Sequence, residues 1–187
     1  MDPSDQDLFL LAKTGDSGAF GKIVELNQGY AYALAIRFLG NEQDAEDVVQ
    51  EAFIRVWRNL RTYDPARKFT TWFYRIVANL CLDRIKAVAS RKRSTGTESG
   101  LDPFEDPPSD EDVEKTVHDR DTVRLVLRLV QELPPKQRMV FVLRDLQDLR
   151  IEEVSNVLGM PHHSVKSNLC LARAFLRNRI HGLEGGG

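Results

Sequence analysis

Three groups of residues in this chain have types and spacings that could do chemistry. The first is a row of acids, Asp44, Asp47 and Glu51, interleaved with Gln50, Arg55 and Arg58. Side chains three and four apart share one face of a helix, and in helical bundles such a face can hold metal ions. That chemistry needs inward carboxylates and Glu-x-x-His motifs. These acids fall opposite an apolar stripe with no histidine near, so a metal site is set aside. The second group is Phe69, Thr70, Thr71, Trp72, Phe73, Tyr74 and Arg75, followed by Asn79 and a basic run of Arg84, Lys86, Arg91, Lys92 and Arg93. Aromatic rings stack on unpaired bases while cations neutralise phosphates, a combination suited to single-stranded DNA. The third is His162, His163, Ser164, Lys166, Ser167 and Cys170, with Arg173, Arg177 and Arg179 behind them. His162, His163 and Cys170 could be taken for a metal trio, but adjacent histidines diverge on a helix and a fourth ligand is not evident.

Each group needs an element to hold it. In 44–57 the residues Ala45, Val48, Val49, Ala52, Phe53, Val56 and Trp57 step three and four apart, the stripe of a buried amphipathic helix. On that pattern alone the acid row is a solvated outer face. Phe69, Trp72, Phe73, Ile76, Val77, Leu80 and Ile85 form a second stripe, so most of the aromatics in the second group read as core, leaving Tyr74 and Arg75 off the stripe for contact. Around the third group, a short helix carrying Val154, Val157 and Leu158 is followed by Gly159, Met160 and Pro161. A longer helix then carries Val165, Leu169, Ala172 and Leu176. A small residue, Ser155, and the turn glycine allow two helices to cross, which is the pattern of a helix-turn-helix whose second helix meets base edges. The alternative is a plain helical hairpin that binds protein.

Helices also fill the rest. Ser4 can cap a helix to about Thr14, Asp16 or Ser17 can start a second that stops at Gly40, and Asn41 can cap the helix with the acid row. The segment 61–68 breaks the pattern with an Asp-Pro turn. The fold class expected is all-α: an N-terminal helical bundle over 1–93 and a C-terminal helix-turn-helix domain over 112–182. An acidic flexible linker over 94–111 joins them, and a disordered tail occupies 183–187.

The charge pattern supports that division. The formal net charge is −2. Glu98, Asp102, Glu105, Asp106, Asp110, Glu111, Asp112 and Glu114 lie in one stretch without a Lys or Arg; without those eight, the chain has 26 basic against 20 acidic residues, or +6. Two basic bodies are joined by an acidic strap. Two distant cysteines, Cys81 and Cys170, point to reduced thiols and a cytoplasmic location. No apolar run approaches the roughly twenty residues that span a membrane. No phosphate loop, nucleophile elbow or zinc-protease motif is present, so neither catalysis nor a cofactor is expected.

Taken together, DAEDVVQEAFIRVW, FTTWFYRIVANLCLDRIK, the LPPKQRMVFVLRD run and the terminal helix-turn-helix resemble bacterial sigma factors of the extracytoplasmic-function (ECF) group, in that family's order and over about residues 5–180. The resemblance implies that Asp44, Asp47, Gln50, Glu51 and Arg55 bind the clamp helices of core RNA polymerase. It implies that Tyr63, Asp64 and Lys68, in a loop that captures a flipped base, and Thr70, Thr71, Tyr74, Arg75, Asn79, Arg84, Lys86, Arg91 and Arg93 hold the melted minus-ten strand. His162, His163, Ser164, Lys166, Ser167, Asn168, Cys170 and Arg173 would read the minus-thirty-five element as duplex, with this domain also touching the polymerase flap. An anti-sigma factor or other regulator is a further implied partner. The sequence departs from the family at Asn168 and Leu171, where cations are usual, and at Cys170, where an aromatic is common; fewer cations mean fewer phosphate contacts. The rival readings are an autonomous helix-turn-helix regulator, which leaves the N-terminal bundle unexplained, and a helical interaction module that never touches DNA.

Overall fold

The N-terminal half is four helices, two of them started by single side chains. The computed structural model describes residues 3–64, 68–95 and 116–184. Its helices are α1 (Pro3–Lys13), α2 (Ser17–Leu39), α3 (Glu42–Asn59), α4 (Phe69–Thr95), α5 (Thr116–Glu132), α6 (Pro135–Phe141), α7 (Ile151–Leu158) and α8 (His162–Glu184), with a 3-10 turn at Leu60–Thr62. Asp16 Oδ1 accepts from Ala19 N at 2.9 Å and starts α2. Asn41 Oδ1 accepts from Asp44 N at 2.8 Å and starts α3. Between those two helices Gly40, at φ +68°, closes α2 in the left-handed region that glycine enters without strain. Helix α1 begins at Pro3, one residue ahead of the Ser4 cap read from the sequence, in keeping with proline's fit to the first helical turn.

The expected apolar stripes pack. Phe38, Phe73, Ile23, Leu34, Val56 and Val77 are fully buried in the N-terminal half, and Leu133, Met139, Val140, Leu143, Val157 and Val165 in the other. Burying each such side chain contributes about 1.5–3 kcal/mol. The buried side chains of both halves form one contiguous cluster.

The C-terminal half differs from its sequence reading in detail. The helix expected from Pro135 to about Asp145 is α-helical only to Phe141. Val142–Leu146 then widens into a π-helical turn, with Gln147 N donating to Val142 O at 3.0 Å. The chain leaves that turn through Asp148 at φ +51°, a conformation aspartate tolerates better than most residues. Gly159 is needed for its φ of +62°, not for close helix crossing, since a Cβ there would meet nothing within 4 Å. Ser155 ties the same turn by donating its hydroxyl to Met160 O at 2.5 Å. Helix α8 carries on through Gly182, Leu183 and Glu184, past the point where the sequence reads as a tail. The acidic strap, from residue 96 onward, lies outside the described residues. All of the described regular structure is helical, in two helical bodies.

Candidate functional site

The acid row on α3 is not a line of free carboxylates. Arg84 reaches it from α4, with Nε donating to Asp44 Oδ1 at 2.8 Å and Nη2 to Asp47 Oδ2 at 3.1 Å. Its hydrogen bond to Asp44 is the main cause of a raised guanidinium pKa. Arg84, expected in the basic nucleic-acid stretch, is here engaged by the acids of α3. The residue stands four after Leu80 and seven after Val77, both buried, so it sits on the packed side of α4 and emerges against the first turn of α3. Glu51 is likewise engaged, accepting from Arg55 Nε at 2.9 Å. Asp47 and Gln50 are exposed. Ile54 and Trp57 continue that face at helical spacing and are 44% and 39% exposed. The sequence places Trp57 in the buried stripe; instead its ring lies 4.8 Å from that of Phe20 and keeps an edge in solvent. Ile54 falls outside the stripe in the helical period, and that signal was legible in the sequence.

Around the start of α4 the aromatics form a packed cluster. Phe9, Tyr63, Phe69 and Phe73 are buried, with Phe9 and Phe69 4.6 Å apart and Tyr63 stacked 5.0 Å from Trp72. Tyr63 is therefore core, not an offered ring, and burial pushes its phenol pKa up. Its carbonyl accepts from Lys13 Nζ at 2.5 Å. Tyr74 is half-buried, and burial is again the first cause of its raised pKa; the Arg37 guanidinium nearby acts in the opposite direction. Thr71 is half-buried too. Asp64, Lys68, Thr70, Arg75, Asn79 and Lys86 are exposed. Arg75, Asn79 and Lys86 stand four and seven residues apart, so they share one row about 16 Å long. Arg75 makes no ion pair among the described residues, and Lys86 only a loose one, 3.8 Å from Asp83. Lys68 Nζ pairs with Glu153 of α7 at 3.2 Å. Arg91 and Arg93 lie on α4, but their side chains are outside the described residues.

On α8 the inward residues Val165, Leu169, Ala172 and Leu176 are buried as their spacing predicts. His162, His163, Lys166, Ser167 and Cys170 are exposed, and 163, 166, 167 and 170 share one face. Ser164 is half-buried. Asn168 turns its amide back on its own helix, donating to Ser164 O at 2.8 Å. Arg173 is held by Asp145 in a two-pronged pair, Nε to Oδ2 at 2.8 Å and Nη2 to Oδ1 at 2.6 Å. Arg179 Nε donates to Glu132 at 3.0 Å. No three His, Cys, Asp or Glu side chains converge among the described residues, and His162, His163 and Cys170 do not form a cluster. No described helix is long and apolar enough to cross a membrane.

Comparison with known proteins puts both bodies in one frame. Residues 23–91 match the family model for Sigma-70 region 2, and residues 124–176 match that for Sigma-70 region 4. The chain is 35% identical over 176 residues to the ECF RNA polymerase sigma factor SigW of Bacillus subtilis, covering 91% of this chain and 94% of that one. It is 35% identical over 187 residues to the ECF RNA polymerase sigma factor SigE of Mycolicibacterium smegmatis, covering 96% and 70%. Among solved structures it is similar to CnrH in complex with the cytosolic domain of CnrY, with 28% identity, a TM-score of 0.67 and coverage of 96% of this chain and 99% of that one.

Proposed function

The chain belongs to the ECF sigma factors of bacterial RNA polymerase, and from that membership we propose how its surfaces divide the work of starting transcription. Sigma factors are non-catalytic initiation factors, so the chemistry asked of these residues is binding alone. The exposed part of the α3 face, Asp47 and Gln50 with the paired Asp44, Glu51 and Arg55, docks on the clamp helices of core polymerase. The row Arg75, Asn79 and Lys86 on α4, with Asp64, Lys68, Thr70, Thr71 and Tyr74 at its edge, takes the melted non-template strand of the minus-ten element. The cations neutralise phosphates, and contacts to the exposed bases offset the cost of unstacking them. The outer face of α8, from His162 and His163 through Ser164, Lys166, Ser167, Asn168, Cys170 and Arg173, reads the minus-thirty-five element in the major groove. The same domain touches the polymerase flap. The protein works in the cytoplasm, beside polymerase. CnrH is described with the cytosolic domain of CnrY, and an anti-sigma partner for this chain is proposed by that analogy.

The observation that carries this reading is the pair of exposed polar rows, one on α4 and one on α8, each at helical spacing on a packed helix and each within a stretch matching a sigma-factor region. Its test is in vitro transcription with purified core polymerase and a pool of promoter fragments. Discrete start sites sharing two upstream motifs are expected. Reversing Asp47 and Glu51 to Lys should abolish those transcripts and reduce polymerase affinity by at least a hundredfold, about 2.7 kcal/mol or more, with the helical content unchanged. Undiminished affinity in that variant would sink the assignment of α3, and no transcript from wild-type protein would sink the promoter reading.

A further inference from the structure

The widened turn at Val142–Leu146 does more than end α6. Single π-helical turns set into helices recur at functional sites, and this one carries an acid that reaches across to α8. Asp145 Oδ2 accepts from Arg173 Nε at 2.8 Å, and Asp145 Oδ1 accepts from Arg173 Nη2 at 2.6 Å. The turn is tied around the acid: Gln147 N donates to Val142 O and Leu149 N to Leu143 O, both at 3.0 Å, and the Val142 and Leu143 side chains are buried. The Asp145 side chain is 19% exposed against 50% for that of Arg173, so the acid is the anchored member of the pair and the guanidinium its outward tip. The hydrogen bond to Asp145 is also the first cause of a raised Arg173 pKa. A guanidinium has two edges that each give a pair of parallel hydrogen bonds: Nε with one terminal nitrogen, and the two terminal nitrogens together. Asp145 takes the first. On the second edge, Nη1 has no hydrogen-bond partner among the described residues. Arg173 stands seven residues after Lys166 and three after Cys170, so it continues the exposed face of α8. It lies eleven residues after His162, about 16 Å along the helix. In a helix-turn-helix the first residues of the second helix meet base edges. A side chain that far along stands at the groove wall, where the acceptors are phosphate oxygens.

We propose that Asp145 is the positioning residue for Arg173: it holds one edge of the guanidinium so that the other presents its donors, in a fixed orientation, to a backbone phosphate of the duplex that α8 reads. That α8 reads a duplex rests on the sigma-factor reading above; the task of Asp145 goes beyond it. The physical consequence separates register from affinity. A free arginine on its flexible stem pairs with whichever phosphate is nearest, on any sequence. A clamped one meets a phosphate only when α8 lies at the depth and angle that its base contacts set. The carboxylate also offsets part of the cation's charge, so less is gained on arbitrary DNA. Asp145 thus weakens binding to duplex at large and favours the sequence that α8 reads.

The test uses the full chain and two short duplexes, one carrying the upstream motif recovered by the transcription assay and one of the same composition scrambled. Asp145→Ala is expected to bind the scrambled duplex more tightly, with a salt slope steeper by up to about 0.9, and to lose about tenfold in preference for the motif. Asp145→Asn, which keeps the size of the side chain and one acceptor, should fall between Asp145→Ala and wild type. In an Arg173→Ala chain, Asp145→Ala should leave the preference where it was. An acid that only stabilised the turn would weaken both duplexes alike when removed. That result, an unchanged preference, or a loss that persists without Arg173 overturns the proposal. Nuclear magnetic resonance reads the held edge in the wild-type chain, where the stability of a variant does not enter. The Arg173 Nε–H signal, assigned by its absence in Arg173→Ala, is expected to stand apart from solvent-exposed arginines and to exchange slowly with water. It should stay so when the motif duplex is bound. Its collapse to the exposed position on binding would show that the pair opens, and would overturn the proposal. A wild-type chain that binds both duplexes equally overturns the sigma-factor reading and the duplex role of Arg173 with it, whereas a wild-type preference that Asp145→Ala leaves intact overturns the positioning role alone.

Discussion

Helices α4 and α8 are each proposed to face DNA, yet they are packed in opposite ways. Helix α4 is shared: it packs on α2 and α3 of its own half and on α6 and α7 of the other. Among the described residues, helix α8 packs chiefly within its own half, on α5, α6 and α7. The consequence is visible in their outer faces. His162, His163, Lys166, Ser167 and Cys170 on α8 are all exposed, whereas Thr71, Tyr74 and Arg84 on α4 are partly covered or engaged. A helix that meets a closed duplex needs only a protruding face. A helix that takes up a melted strand can be kept partly covered until it is needed; here Arg84 is engaged by acids of α3, and Tyr74 lies beside Tyr30 and Arg37 of α2.

The sharpest way to break this comparison is through the core. Phe73 on α4 is 1% exposed and lies on the helix that packs on elements of both halves, so Phe73→Ala is expected to cost about 3–5 kcal/mol and to lower the melting of both halves together. Leu169→Ala on α8 is expected to cost about 2–5 kcal/mol, with the loss confined to the C-terminal half. Hydrogen exchange resolved along the chain distinguishes them; equal loosening of the N-terminal helices by both variants would remove the asymmetry.

A smaller effect sharpens it. Cations already held by acids contribute less to DNA than free ones. Replacing Lys166 with Ala should lower the salt slope of duplex binding by about 0.9, while Arg75→Ala with Lys86→Ala should lower that of single-strand binding by about 1.4. Arg173→Ala should change the duplex slope by less than Lys166→Ala, because Asp145 already occupies its guanidinium. Affinity titrations at several salt concentrations read all three, and a larger effect from Arg173 would mean that its pair with Asp145 opens on DNA.

The smallest effect concerns the contact between α4 and α7. Glu153 has its pKa lowered, first by the hydrogen bond from Arg150 N at 3.0 Å and then by Lys68. A depressed carboxylate stabilises the fold above its ordinary titration range and loses that contribution as the pH falls through the lowered value. Acidification should therefore loosen the start of α7 and its link to α4 together. Glu153→Ala should remove this pH dependence at a cost of about 1 kcal/mol or less, since the pair with Lys68 is largely solvated. A melting curve that keeps its full acid dependence in Glu153→Ala would assign the effect elsewhere.

What could be read in the sequence was local. Asp16, Gly40 and Asn41 act on backbone within four residues of themselves, so their capping roles were legible from spacing alone. The buried positions 165, 169, 172 and 176 were equally legible, because a helix places every third or fourth side chain on one face. The motifs at 44–57 and 69–86 and in the helix-turn-helix carried the family through residue types at fixed offsets. The engagements of individual side chains were not legible. Arg84 finds Asp44 across 40 positions, and Arg173 finds Asp145 across 28. Tyr63 disappears into rings supplied by α1 and α4. Each of these had the composition of a contact residue, and the fold gives each a neighbour that no local pattern announces.

The chain's sequence by itself determined that there are two helical bodies, which faces are apolar and which family the order of motifs resembles, because those properties follow from periodicity and turn chemistry over a few residues. Only the tertiary structure decided which cations are left free, which ring is core and that Gln131 and Arg138 close over the end of α2. Those outcomes depend on where distant helices come to rest, and burial and hydrogen bonding across such a junction have no signature at short range.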